Sequence, residues 1–157
     1  MYKSKQLPQL AVLTIVLLFA LFASCGGIRE KKIFKEWAKS ELSTNIRIVY
    51  PFDSSLFPID MASPSLMWED SSSEADLWII AFYNKEHTLK YLYKTGMKKW
   101  KIERSDWDKI KEINLDKFLN IAVIGVNTKR PDKIVSSGKL SIGISSDPVG
   151  APVFYRD

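Results

Sequence analysis

One cysteine and one histidine in 157 residues exclude much chemistry at the outset. A single thiol forms no internal disulfide, and no Cys/His set is present to hold a structural zinc. The haem-attachment pattern C-x-x-C-H is missing. Any Cys–His dyad would have to join Cys25 to His87, and any Ser-His-Asp triad would have to use His87. Glycine, at seven residues, is sparse and builds no phosphate-cradling loop. There is no internal repeat and no low-complexity tract. What is present, 46% apolar and 26% charged residues at single-domain length, is the composition of a folded globule.

The longest apolar run is Leu10 to Ala23, LAVLTIVLLFALFA, interrupted only by Thr14. At 14 residues it is shorter than the about 20 needed to cross a bilayer as a helix. Lys3 and Lys5 precede it without an acid, and Ala23 and Ser24 close it. A basic start, a short apolar stretch and small residues predict a signal peptide over 1–24. The next residue is the sole cysteine. Phe22-Ala23-Ser24-Cys25 resembles the lipobox of bacterial lipoproteins, with Phe22 where that family commonly has Leu. The resemblance implies cleavage between Ser24 and Cys25, a diacylglycerol on the thiol and an acylated new amino terminus. Several acyl chains together give stable anchoring where one is marginal, so the chain is expected on a membrane, held through Cys25, rather than across it. Gly26, not Asp, follows the cysteine, and no acidic run comes after it. By the same resemblance this implies the periplasmic face of the outer membrane. The alternatives are an ordinary signal cut near Ser24, leaving a free exported protein, and a structural cysteine behind an uncleaved anchor.

Without Lys3 and Lys5, 23 − 2 = 21 bases face 18 acids. The excess is uneven. Glu41 to Tyr83 holds seven acids and one base, and Lys85 to Lys111 holds nine bases and four acids. In the basic stretch the lysines alternate with apolar residues, as in Thr88-Leu89-Lys90-Tyr91-Leu92-Tyr93-Lys94, which marks the wet side of a strand rather than a nucleic-acid site. Residues 25–42 read as a tether and short helical segment. Its Ile33, Phe34 and Trp37 fall on one side, either on a membrane surface among the lysines or docked on the domain.

From residue 43 to 157 the signals are those of strands. Segments 46–50, 65–69, 76–83, 88–95, 119–126, 139–145 and 153–155 are β-branched, aromatic or alternating, with polar or proline-containing turns between them. One helix is expected over about 105–113, with Ser105 as N-cap and Trp107, Ile110 and Ile113 on one face. Short strands at this spacing predict a mainly β protein, an antiparallel β-sandwich with Trp68 and Trp78 in its core. Ala62-Ser-Pro-Ser-Leu-Met-Trp-Glu69 resembles the second strand of immunoglobulin and fibronectin type III modules. Together with Ser145 to Asp157, the stretch from Tyr50 resembles the leading module of larger envelope proteins that continue into a TolB-type β-propeller. No propeller repeat or haem motif is present, so the resemblance implies either a freestanding module or the leading piece of a longer protein.

No residue set forms a convincing catalytic or metal site. His87 sits in a turn, with Glu86 pointing elsewhere on an extended chain. Asp53 and Asp60, and the run Asp70, Glu74 and Asp76, lack EF-hand spacing and its glycine, which predicts a solvated hairpin turn for the run. Trp100 and Trp107, with Tyr91 and Tyr93, could stack on a glycan or pack in the core. The expected function is a lipid-anchored, non-catalytic envelope module for tethering or protein interaction, without cofactor or metal. A glycan-binding module is the alternative.

Overall fold

The computed structural model describes residues 26–150. The signal peptide expected over 1–24, Cys25 and the strand expected over 153–155 lie outside these residues. In chain order the elements are α1 (Gly26–Trp37), β1 (Ile46–Tyr50), β2 (Ser55–Pro58), β3 (Ser65–Asp70), β4 (Leu77–Tyr83), β5 (Leu89–Thr95), β6 (Lys99–Lys101), α2 (Arg104–Ile113), β7 (Phe118–Asn127) and β8 (Arg130–Ser145).

The strands form a three-stranded sheet, β1-β3-β6, and a five-stranded sheet, β2-β8-β7-β4-β5. Pairing is antiparallel except between β2 and β8, which run parallel in the register Phe57 to Ile144. This corrects the expectation of a wholly antiparallel sandwich. The described residues contain two helices: α2, where a helix was expected, and α1, which fills most of the segment read as a tether and short helical piece.

β4 explains the layering. Its residues LWIIAFY are apolar throughout, and successive side chains of a strand point to opposite faces. Such a run is favourable only where both faces are covered. Trp78, Ile80 and Phe82 point inward, joining Leu119, Ile121 and Val123 of β7 and Leu140, Ile142 and Ile144 of β8. Leu66 and Trp68 of β3, with Trp107 and Ile110 of α2, close over them. Trp68 and Trp78 meet edge to face across the two sheets, their ring centres 6.1 Å apart. The other face carries Ile79, Ala81, Tyr83, Ala122, Ile124 and Val126, and α1 lies on it with Ile33, Phe34 and Trp37 buried. Of the two placements open to this segment, the structure adopts docking on the domain.

α2 begins one residue before the expected start. Its N-cap is Glu103, whose side chain makes no capping bond, so Ser105 lies inside the first turn instead of capping it. Trp107 and Ile110 face the core, while Ile113 is 56% exposed.

One end of the sandwich is sealed by a buried polar group. Asp70 accepts hydrogen bonds from Trp78 Nε1 (2.9 Å) and Ser136 Oγ (2.6 Å). A Cβ at Gly125 would collide with that Ser136 hydroxyl and push it off Asp70, so glycine leaves room for the bond. Glu74 pairs with Arg130 at 2.9 Å, and Asp76 accepts from the backbone N and Oγ1 of Thr128, both at 2.7 Å. The acidic run is therefore divided. Asp70 is buried structure, which corrects its assignment to a solvated turn, whereas Glu74 and Asp76 are exposed.

Candidate functional site

The proposed sugar-stacking residues lie at the open side of the sandwich, where edge strand β5 approaches β6. Tyr91 and Tyr93 flank Phe82, with ring centres 6.5 Å and 6.1 Å from it, and Trp100 lies 6.2 Å away. Tyr93 and Trp100 are 4.5 Å apart. The Tyr93 hydroxyl donates to Asp106 Oδ2 at 2.7 Å, tying β5 to α2. Burial, and then the Asp106 carboxylate, push the Tyr93 phenol well above its ordinary pKa. Tyr91, Tyr93 and Trp100 are half-buried and pack on the core. Trp107 is 1% exposed, and its Nε1 donates to the carbonyl of Met61 at 3.0 Å. A ring with no free face cannot stack on a sugar, so Trp107 is removed from the candidate glycan set.

A different region gathers more chemistry. α1 covers only part of the outer face of the large sheet. At its C-terminus, where Phe34 and Trp37 pack on Tyr83, that tyrosine shares the face with Asn120, Ser141 and Lys139, with a cavity of about 270 Å³ among them. Glu41 enters from the loop after α1 and bonds both His87 Nε2 and Lys139 Nζ. These bonds, Lys139 first, hold the Glu41 carboxyl below its ordinary pKa against the opposing effect of burial. His87 stacks on Tyr83 at 5.6 Å between ring centres, with an interplanar angle of 16°. Tyr83 is buried, and burial followed by the Glu41 charge raises its phenol pKa far above the usual value. Beside it, Ser141 Oγ donates to Asn120 Oδ1 at 2.5 Å, and Ser141 N donates to Asp53 Oδ1 at 2.7 Å. Both oxygens of Glu41 are engaged. The cluster works as a latch that fastens the loop after α1 to β8 and to the β4–β5 turn.

His87 is thus an exposed turn residue, as expected, but its partner is Glu41 and not Glu86. Sequence offered no signal for this, because the latch residues are separated by 46 and 98 positions. Beyond the latch, among the described residues, the outer face carries exposed apolar side chains. Leu56 of β2 and Phe118 of β7 both pair with Gly143 of β8, and they are 62% and 48% exposed. Phe52, just before β2, is 73% exposed. A Cβ on Gly143 would strike Leu56, so the glycine lets the two apolar side chains close over the strand. Here a signal did exist: Leu56-Phe57 and Phe118-Leu119 are apolar pairs, and one member of each must face outward in a strand.

Among the described residues, no group of three or more His, Cys, Asp or Glu side chains is placed to hold a metal ion. No helix among them is long and apolar enough to cross a membrane. No family model, curated protein or solved structure matches this chain.

Proposed function

We propose that the chain is a lipid-anchored, non-catalytic module of the bacterial cell envelope that meets another envelope protein, built on an immunoglobulin or fibronectin type III plan. The observation that carries this reading is the position of the sole cysteine, Cys25, directly after a basic start, a 14-residue apolar run and the small pair Ala23-Ser24. The strand order supports the immunoglobulin-like type. β1, β3 and β6 correspond to strands A, B and E of one sheet. β8, β7, β4 and β5 correspond to G, F, C and C′ of the other, and β2 adds alongside β8. The exposed pair Leu56 and Phe118, side by side over Gly143, supports the interaction role, since exposed apolar side chains gathered on one face commonly mark a protein contact. The glycan alternative loses one of its two tryptophans to the core.

The test is metabolic labelling with an alkyne fatty acid in a bacterial host. Wild-type chain takes the label and partitions into the detergent phase. Cys25→Ser takes none. An unlabelled wild type overturns the anchor reading and leaves an exported or signal-anchored protein.

A further inference from the structure

We infer that the end of the sandwich where α1 begins rests on anionic phospholipid headgroups, so that the anchor presents the domain in one fixed orientation. The inference rests on the acylation of Cys25 proposed above. It adds what the structure says about the distance between anchor and fold.

α1 starts at Gly26, the residue next to Cys25. Adjacent Cα atoms are about 3.8 Å apart. Ile33, the first α1 side chain buried in the domain, follows Gly26 by about 10 Å of helix. Phe34 and Trp37 fix the same helix further along. No slack linker therefore separates the acyl-bearing residue from the folded body, and the parts of the domain beside the start of α1 must lie near the bilayer.

Contacts identify those parts. Arg29 in the first turn reaches Asp132 in β8 at 3.8 Å, and Glu30 pairs with Lys94 of β5 at 3.2 Å. The β7–β8 turn and the segment before β4 join them through Arg130–Glu74 and Thr128–Asp76. Segments 29–32, 74–76, 94 and 128–133 together carry seven bases and four acids. Three of the acids are ion-paired, and Asp76 is capped by Thr128. Lys31, Lys32, Lys129 and Lys133 remain exposed, with no ion-pair partner among the described residues. The opposite end, segments 51–54, 84–88 and 116–118, holds three acids and two bases, together with exposed Phe52 and Phe118.

Of these two ends, the one where the anchor attaches is the one whose charge complements an anionic surface. Screening limits this attraction to about 8 Å at physiological salt, so closeness to the anchor decides which lysines count. Each lysine near such a surface is worth about fivefold in occupancy. The orientation also turns the bare apolar patch away from the membrane, toward a partner.

Acylation occupies the only native thiol, so an added cysteine is unique. The acylated full chain is purified, its lipid mass is confirmed, and it is placed in phosphatidylglycerol-rich vesicles containing a headgroup nitroxide quencher. Ser73→Cys, beside the Glu74–Arg130 pair, and Thr88→Cys, in the β4–β5 turn, each carry a fluorophore. The Ser73 label is quenched several-fold more than the Thr88 label. The difference collapses when Lys31, Lys32, Lys129 and Lys133 are changed to Glu with the circular dichroism unchanged. It also shrinks in phosphatidylcholine vesicles or at 1 M salt, where screening falls to about 3 Å. Equal quenching of the two labels on an acylated chain overturns the fixed orientation alone. Absence of the lipid mass overturns the anchor and the orientation together.

Discussion

The two faces of the five-stranded sheet are covered by different means. The inner face is closed by a second sheet and α2, which contribute Trp68, Leu66, Trp107 and Ile110 from separate parts of the chain. The outer face is covered by one 12-residue helix at the N-terminal end, which stops short and leaves a latch and then a bare apolar end. The inner face is held by many segments drawn from most of the domain. Among the described residues, the outer face depends on a few side chains of one helix, and its far end leaves Leu56 and Phe118 exposed.

That contrast is open to direct attack. Trp107→Ala should be the most damaging change, costing about 3–5 kcal/mol in denaturant unfolding, because it empties a fully buried site between α2 and β2. Trp37→Ala on the outer face should cost about 3 kcal/mol. Its distinguishing signature is in hydrogen exchange: α1 amides lose protection while β4 and β7 keep theirs. Uniform loss across the sheet would show that both faces unfold as one unit.

Glu41→Gln should cost about 1 kcal/mol or less, since its partners are partly exposed. The folded carboxyl has a lowered pKa, so its stabilisation is present above the ordinary value of 4.5 and is lost as pH falls below it. Wild type and variant should therefore converge in stability on acidification through that range, as followed by thermal melts at stepped pH. The smallest effect is expected at the bare end. Leu56→Ser with Phe118→Ser should change stability by about 0.5 kcal/mol or less while clearly reducing retention on a phenyl resin. A large loss of stability would show that the patch belongs to the core after all.

The inner face was far more legible in sequence than the outer. β1, β3, β4, β5 and β7 fall within a residue or two of the segments read from β-branched and aromatic runs, and so does α2. These segments carry their own apolar pattern. β2, β6 and the first half of β8 do not. Ser55–Pro58 is too short and is bounded by prolines, and it becomes a strand only because β8 lies beside it. Lys99-Trp100-Lys101 is three residues long. Arg130 to Gly138 reads as a turn and polar segment, and pairing with β7 extends it. In α1, the apolar triad was visible, but the surface it would choose was not, because both a membrane and a sheet offer apolar area. Glu41, His87 and Lys139 form a site through tertiary placement alone.

The margins of the larger sheet have a consequence of their own. An open strand edge invites another chain to continue the ladder. One margin is β2, only four residues long and ending in Pro58, which has no amide hydrogen to offer. The other is β5, whose exposed Lys90 and Lys94 would lose hydration and meet like charges if a second copy aligned there. The smaller sheet ends in a three-residue strand on one side and an irregular one on the other. Stacking of copies into fibrils through their borders is thereby disfavoured, a property of value to any protein confined at high density.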